Sequence, residues 1–275
     1  MFCGHTRPMT KEDVIPIWVG RVLKEIFPDV GRWAVVDRVS NLDGQVPLRA
    51  RRSGGPTIYK LKAVCRECNG GWMRGIENAV IPLLTPLIRG VDDSSTFSAN
   101  EAQAIATWMT LKVLCFDRLA PSVFGRDECQ DFYYDSLPPP MFQLWMAKSE
   151  QISFTGEFHP LAVWNIGWYG TTSSPTSPHD RSWARRLTLL INELVLQAVM
   201  VRKDRASEVA LIDRPDEYLL PQIWPWRGPI DWPPPVLLTH SSVASLGAGR
   251  PSNGIWKRKG PEPPPLRNHK PRPYR

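Results

Sequence analysis

Cys65-Arg66-Glu67-Cys68-Asn69 is the run whose residue types and spacing point most directly to chemistry. Two residues between two cysteines let a turn carry both sulfurs to one side, where both thiolates can reach one metal ion. A structural zinc takes four nitrogen or sulfur ligands in a tetrahedron, and Cys3, far upstream, offers a third thiolate. The five cysteines are an odd number, which argues against a disulfide framework. Cys115 and Cys129 sit in apolar or mixed contexts and read as unreactive, partly buried thiols. A second group with chemical potential is the acidic pair Glu12-Asp13, directly before the apolar run Val14-Ile15-Pro16-Ile17-Trp18.

Taken together, Cys3-Gly4-His5, Thr10-Lys11-Glu12-Asp13 with the helix start that follows, and Cys65 to Met73 form one pattern. It resembles the HNH-type endonucleases, the ββα-metal (His-Me finger) nucleases with a zinc-knuckle frame, over roughly residues 1–80. The resemblance implies a zinc that frames strand, turn and helix, and a separate catalytic Mg²⁺ or Mn²⁺ that touches the scissile phosphate. Glu12 matches the acidic ligand of that ion, and Asn69 matches the third letter of the motif. In the family the first knuckle is itself CxxC. Cys3 matches its second cysteine, so the first would fall before Met1. Either the natural start lies upstream, or a substitute such as His5 completes the zinc site.

Asp13 holds the position of the family's histidine. With an ordinary aspartate pKa it is ionised at neutral pH but accepts a proton poorly compared with imidazole. Two readings follow: a second hard-oxygen metal ligand, or a site that no longer cuts. The asparagine that orients the histidine in the family should precede Cys65, where Lys60-Leu61-Lys62 stands. Glu77 occupies a place where this branch carries an acid; it either faces the site or lies on the solvent side of its helix. Trp18 and Trp72 are expected in the core rather than under a nucleobase.

Charge points the same way. The formal net charge is +7, which suits a polyanionic partner. The excess is concentrated around the motif. Arg49, Arg51, Arg52, Lys60, Lys62, Arg66 and Arg74 face only Glu67 between Gly44 and Gly75. As a group they favour contact with phosphates, although each alone reads equally well as a solvated side chain. The chain shows neither a basic segment followed by an apolar run at its start nor an apolar stretch of spanning length. Secretion and a membrane span are therefore not indicated, and a cytoplasmic protein is expected.

The elements that must position these residues can be read coarsely. Apolar spacing predicts a helix beginning near Pro16 and running to Ile26, with Glu12-Asp13 on the strand or turn before it. Residues 33–36 and 57–64 read as extended pieces separated by a turn-rich basic loop, and the second feeds into Cys65. A helix from about Gly71 should be kinked or ended by Pro82 and Pro86. Ser98-Ala99-Asn100-Glu101 is a capping box opening a helix through Phe116. Residues 121–150 read as irregular. Strands are expected at 152–154, 161–168, 187–191, 194–201 and 209–212, forming a small antiparallel sheet. From Pro221 the chain is proline-rich and ends basic, which predicts an extended tail unless Trp224, Trp226, Trp232 and Trp256 fasten it to the body.

The expected class is α+β, in three parts: an HNH-like ββα-metal zinc module over 1–90, an α+β region over 91–220, and a Pro-rich basic tail over 221–275. The expected function is metal-dependent hydrolysis of nucleic-acid phosphodiester bonds, with DNA the partner. One alternative is a catalytically inactive zinc-framed protein that binds nucleic acid or joins a complex. Another is an interaction protein whose Trp/Pro-rich C-terminal half docks a protein partner.

Overall fold

The computed structural model describes residues 1–4, 8–28, 34–42, 48–54, 60–91, 93–119, 124–150, 160–169, 183–201, 220–239, 241–243 and 246; of residues 34–42, 48–54, 165–169, 183–184 and 201 it describes the backbone only.

In chain order the N-terminal elements are β1 (Met9–Asp13), α1 (Ile17–Ile26), β2 (Ala34–Leu42), β3 (Leu48–Gly54) and β4 (Lys60–Cys65). A π-helical turn (Cys68–Met73) then leads into α2 (Arg74–Ile88). Next come β5 (Ser95–Phe97), α3 (Ala99–Asp117), α4 (Arg126–Asp135), β6 (Phe142–Ser149), β7 (Leu161–Tyr169), β8 (Trp183–Ile191) and β9 (Leu194–Val201). Short strands β10 (Gln222–Trp224), β11 (Ile230–Trp232) and β12 (Leu237–Leu238) close the described chain. The class is mixed α+β, as expected.

Strands β1 and β4 pair antiparallel, with Met9 opposite Cys65 and Asp13 opposite Lys60. The register shifts between Thr10 and Glu12. Pro16, extended at φ −62° and ψ 147°, is the residue before α1 and sets its start where a proline needs no amide hydrogen. The capping box at α3 is present: Glu101 N–H donates to Ser98 Oγ, and Ser98 N–H donates to Glu101 Oε2 at 2.8 Å.

The main sheet is larger than the sequence suggests. Eight strands run in the order β10-β6-β9-β8-β7-β2-β3, with β12 added beside β6. Most neighbours are antiparallel, but β2 lies parallel to β7 and β12 parallel to β6. Strand β6 and helix α4 occupy the stretch read as irregular. Strand β6 shows no alternation because Phe142, Leu144, Trp145, Met146 and Ala147 are all buried, so both faces are covered. Strand β3 lies within the stretch read as a basic loop. Its sequence Leu-Arg-Ala-Arg-Arg-Ser-Gly has no apolar stripe, and it forms a sheet edge, where charged residues discourage further pairing. The β2–β3 hairpin thus joins the large sheet through β7 rather than standing beside β1 and β4. The strand segments expected at 152–154 and 209–212 lie outside the described residues.

Helix α3 is buried almost all round from Ile105 to Asp117 and packs against α2 and the main sheet. Its two buried charges have partners on other elements: Lys112 meets Glu77 of α2, and Asp117 meets Arg185 of β8. Helix α2 is not ended by its prolines. It runs through Pro82 and Pro86 to Ile88 with Val80, Leu84, Leu87 and Ile88 buried, because that apolar face outweighs the lost amide bonds. The first part of the proline-rich stretch is fastened down. Trp232 is buried, Trp224 packs on the core, and Trp226 is exposed; Trp256 lies outside the described residues. Among the described residues, no helix is long and apolar enough to cross a membrane.

Candidate functional site

Strand β4 delivers Cys65 at its last position, and the π-helical turn opens at Cys68, so both thiols face one side. Cys68 N–H donates to Cys65 Sγ at 3.5 Å. Cys3 arrives from the N-terminus with its sulfur 3.6 Å from that of Cys65. The three sulfurs lie within 4.8 Å of one another, and all three residues are buried. Such a trithiol group could hold a metal ion in the role of a structural brace. Burial, and hydrogen bonds to Cys65 and Cys3, push the Cys68 thiol up to about 12. Binding a cation would reverse that logic by favouring thiolates.

Phe2 anchors the N-terminal segment that carries Cys3. It is 1% exposed, and its ring lies 5.0 Å from that of Trp72 and 6.4 Å from that of Phe132. Trp72 is a core residue, as expected, and its indole N–H donates to Ser136 Oγ at 3.1 Å. Gly4, at φ +72°, turns the chain out of the cluster in a conformation that favours glycine. A Cβ there would meet only the movable side-chain ends of Gln130 and Arg126 on α4.

A second site lies on the same β1–β4 frame. Glu12, Asp13, Asn69 and Glu77 all line one cleft of about 520 Å³, with Arg66 and Arg74 also on its walls. Asn69 is held in place: its Nδ2 donates to Thr10 Oγ1 at 3.2 Å, and Thr10 Oγ1 donates to the Val64 carbonyl at 3.0 Å. Burial raises the Glu12 pKa, Lys112 opposes this, the charges of Glu77 and Asp13 add to the rise, and the Asn69 side chain acts to lower it. Asp13 Oδ1 sits 3.0 Å from Lys60 Nζ, across the strand pair.

Lys112 completes the electrostatics. Its side chain is 0% exposed, its Nζ is 2.7 Å from Glu77 Oε1, and it lies 5.7 Å from the centre of the Trp108 ring. Carboxylates, an amide oxygen and flanking guanidinium groups suit a hard divalent cation and a phosphate.

The sequence-predicted residues therefore fall into groups. Cys3, Cys65 and Cys68 come together, and so do Glu12, Asp13 and Asn69. Among the predicted cations, Arg66 and Arg74 line the acidic cleft and Lys60 pairs with Asp13. Lys62 lines a different cavity. Arg49, Arg51 and Arg52 lie on β3 at the edge of the main sheet, and their side chains lie outside the described residues. His5 lies outside them entirely. Sequence reasoning placed Thr10 in the motif but missed its hydrogen bond to Asn69, and it missed Lys112 altogether. The one available signal for Lys112 is a lone cation in the apolar run Thr-Leu-Lys-Val-Leu of a helix buried on every side. No family model matches the chain, and comparison with curated proteins and with solved structures likewise finds no match.

Proposed function

We propose that this chain is a metal-dependent endonuclease of the HNH type, hydrolysing phosphodiester bonds of DNA. The observation that carries the proposal is the shared cleft of Glu12, Asp13 and Asn69 beside a separate trithiol cluster. Glu12 and Asp13 of β1 and Asn69 after β4 line one cleft, and this supports the reading.

In this mechanism Cys3, Cys65 and Cys68 hold a structural zinc that fixes the N-terminus against the β4 turn. Glu12 and Asn69 hold a catalytic Mg²⁺ or Mn²⁺, with Glu77 within electrostatic reach of Glu12. A divalent ion held there would supply charge neutralisation at the scissile phosphate and its leaving oxygen. Thr10 keeps the Asn69 amide in one orientation. Asp13, within ion-pair distance of Lys60, supplies a further hard oxygen and orients water. Arg66 and Arg74 position the flanking phosphates.

A second reading has its own observation. Asp13 stands where the family carries histidine, and its ion pair with Lys60 suits a charge-balanced, non-cutting site. The chain would then bind nucleic acid without cleaving it. Nicking of supercoiled plasmid in Mg²⁺ or Mn²⁺ decides between them. The nuclease reading expects nicking that falls at least about 100-fold in Glu12→Ala. Salt-dependent DNA binding with no nicking in either metal selects the second reading and overturns the first.

A further inference from the structure

A second cavity, of about 360 Å³, opens on the other part of the same frame, between the cysteine cluster and α4. Met1, Gly4, Met9 and Ala63 supply its apolar and backbone walls, and Lys62, Arg118 and Arg126 supply its charge. The three cations come from three different elements: β4, the end of α3, and the first turn of α4. No carboxylate is among the described residues that line it.

The two guanidinium groups are held in place. Arg126 Nη2 donates to the Gly4 carbonyl, beside Cys3. Arg118 Nη2 donates to Cys129 Sγ at 3.5 Å, while its Nε is buried with no hydrogen-bond partner among the described residues. Lys62 and Arg126 are exposed, so a ligand can reach them. Gathering three like charges around one concavity costs energy unless an anion completes it, and guanidinium groups suit the oxygens of phosphate. The acidic cleft lies along the same strand: Thr10 to Asp13 line that cleft, and Met9 lines this cavity.

We infer that the cavity of Lys62, Arg118 and Arg126 binds one backbone phosphate of the DNA whose scissile phosphate occupies the Glu12 cleft. The inference rests on nucleic acid being the substrate of that cleft. It assigns the cavity a positioning role, setting where along the strand the cut falls. Inorganic phosphate shares the chemistry, so the test separates the two sources.

The experiment uses the full chain and a short fluorescein-labelled duplex DNA, with Ca²⁺ replacing Mg²⁺ so that binding is read without cleavage. Affinity is followed by anisotropy from about 50 to 200 mM salt. Lys62→Gln/Arg126→Gln is expected to weaken binding and to lower the slope of log affinity against log salt by about 1. Lys62→Gln alone, which leaves the Gly4 contact intact, moves both readouts in the same direction. Arg21→Gln/Lys24→Gln removes the same charge from the exposed face of α1 and leaves the slope unchanged. Metal content of each variant is measured to show that the cysteine cluster survives.

If the double variant keeps the wild-type slope and affinity while wild type nicks plasmid, the cavity assignment is overturned and the nuclease reading stands. If the slope falls but no protein nicks plasmid, the contact of the cavity with a backbone phosphate stands, while its role in placing the cut is overturned together with the nuclease reading. Binding of inorganic phosphate that the double variant loses, with DNA affinity unchanged, also overturns the assignment, because the ligand is then the free anion. Failure of wild type to bind DNA overturns it together with the reading it rests on.

Discussion

Lys112 Nζ, on α3, lies 2.7 Å from Glu77 Oε1, on α2, and the lysine side chain is fully buried. The pair joins the central helix to the helix that follows the cysteine turn, and it faces the cleft where Glu12 and Asn69 meet. Removing one partner of a buried pair leaves the other charge unmatched, at about 3–5 kcal/mol. Glu77 retains 19% exposure, so the lower end applies. Lys112→Met is expected to lower the urea midpoint accordingly, whereas Lys112→Met/Glu77→Leu recovers most of the loss. Equal midpoints for the single variant and wild type would show that the contact contributes nothing.

The trithiol cluster is expected to carry about one equivalent of metal in the purified full chain. Cys65→Ala and Cys68→Ala each abolish it, and Cys115→Ala does not. An ion held by the three thiols would brace the N-terminus on the β4 turn, so a chelator should lower the melting temperature of wild type and leave that of Cys65→Ala unmoved. Metal analysis by mass spectrometry, paired with thermal denaturation, checks both halves.

Thr10 touches no substrate in the proposed mechanism, yet its hydroxyl fixes Asn69 at 3.2 Å. Thr10→Val keeps the shape of the side chain and removes that contact. Plasmid nicking is expected to drop about 10- to 100-fold through weaker metal affinity, as for groups that orient ligands. Raising the Mn²⁺ concentration should restore part of the rate. A loss that metal cannot rescue would point instead to damage of the strand pair.

The capping box gives a pH-dependent prediction. Hydrogen bonds from Ser98 hold the Glu101 carboxyl below its ordinary value of 4.5. A depressed carboxylate pKa means the folded state prefers the charged form. The stabilisation is therefore present above the unfolded value and lost as pH falls through the folded one. Ser98→Ala should cost about 1 kcal/mol at neutral pH. The gap between wild type and variant should narrow as pH falls below 4.5. A gap independent of pH would assign the cost to the serine alone.

How much of this was legible in the sequence follows from how far apart the partners stand. The Cys65–Cys68 spacing, the Ser98–Glu101 box and the helix start at Pro16 depend on neighbours within a few residues. Steric and hydrogen-bond rules of short range suffice for each, and each is found in the structure. The meeting of Cys3 with Cys65, and of Glu12 with Asn69, was inferred from a resemblance rather than from any local rule.

Other features have no local signature. Strand β6 reads as irregular because a strand covered on both faces loses its alternation. The parallel pairing of β2 with β7 joins residues more than a hundred positions apart, and no turn chemistry announces it. The prolines of α2 argue for a break that packing of Val80, Leu84 and Ile88 overrides. The sequence by itself determined the cysteine turn, the acidic pair, the basic balance and the capped central helix, all set by chain-local geometry and charge. Only the tertiary structure decided that Lys112 faces Glu77 and that Lys62, Arg118 and Arg126 enclose one cavity, because such neighbours are chosen by how the helices and sheet pack.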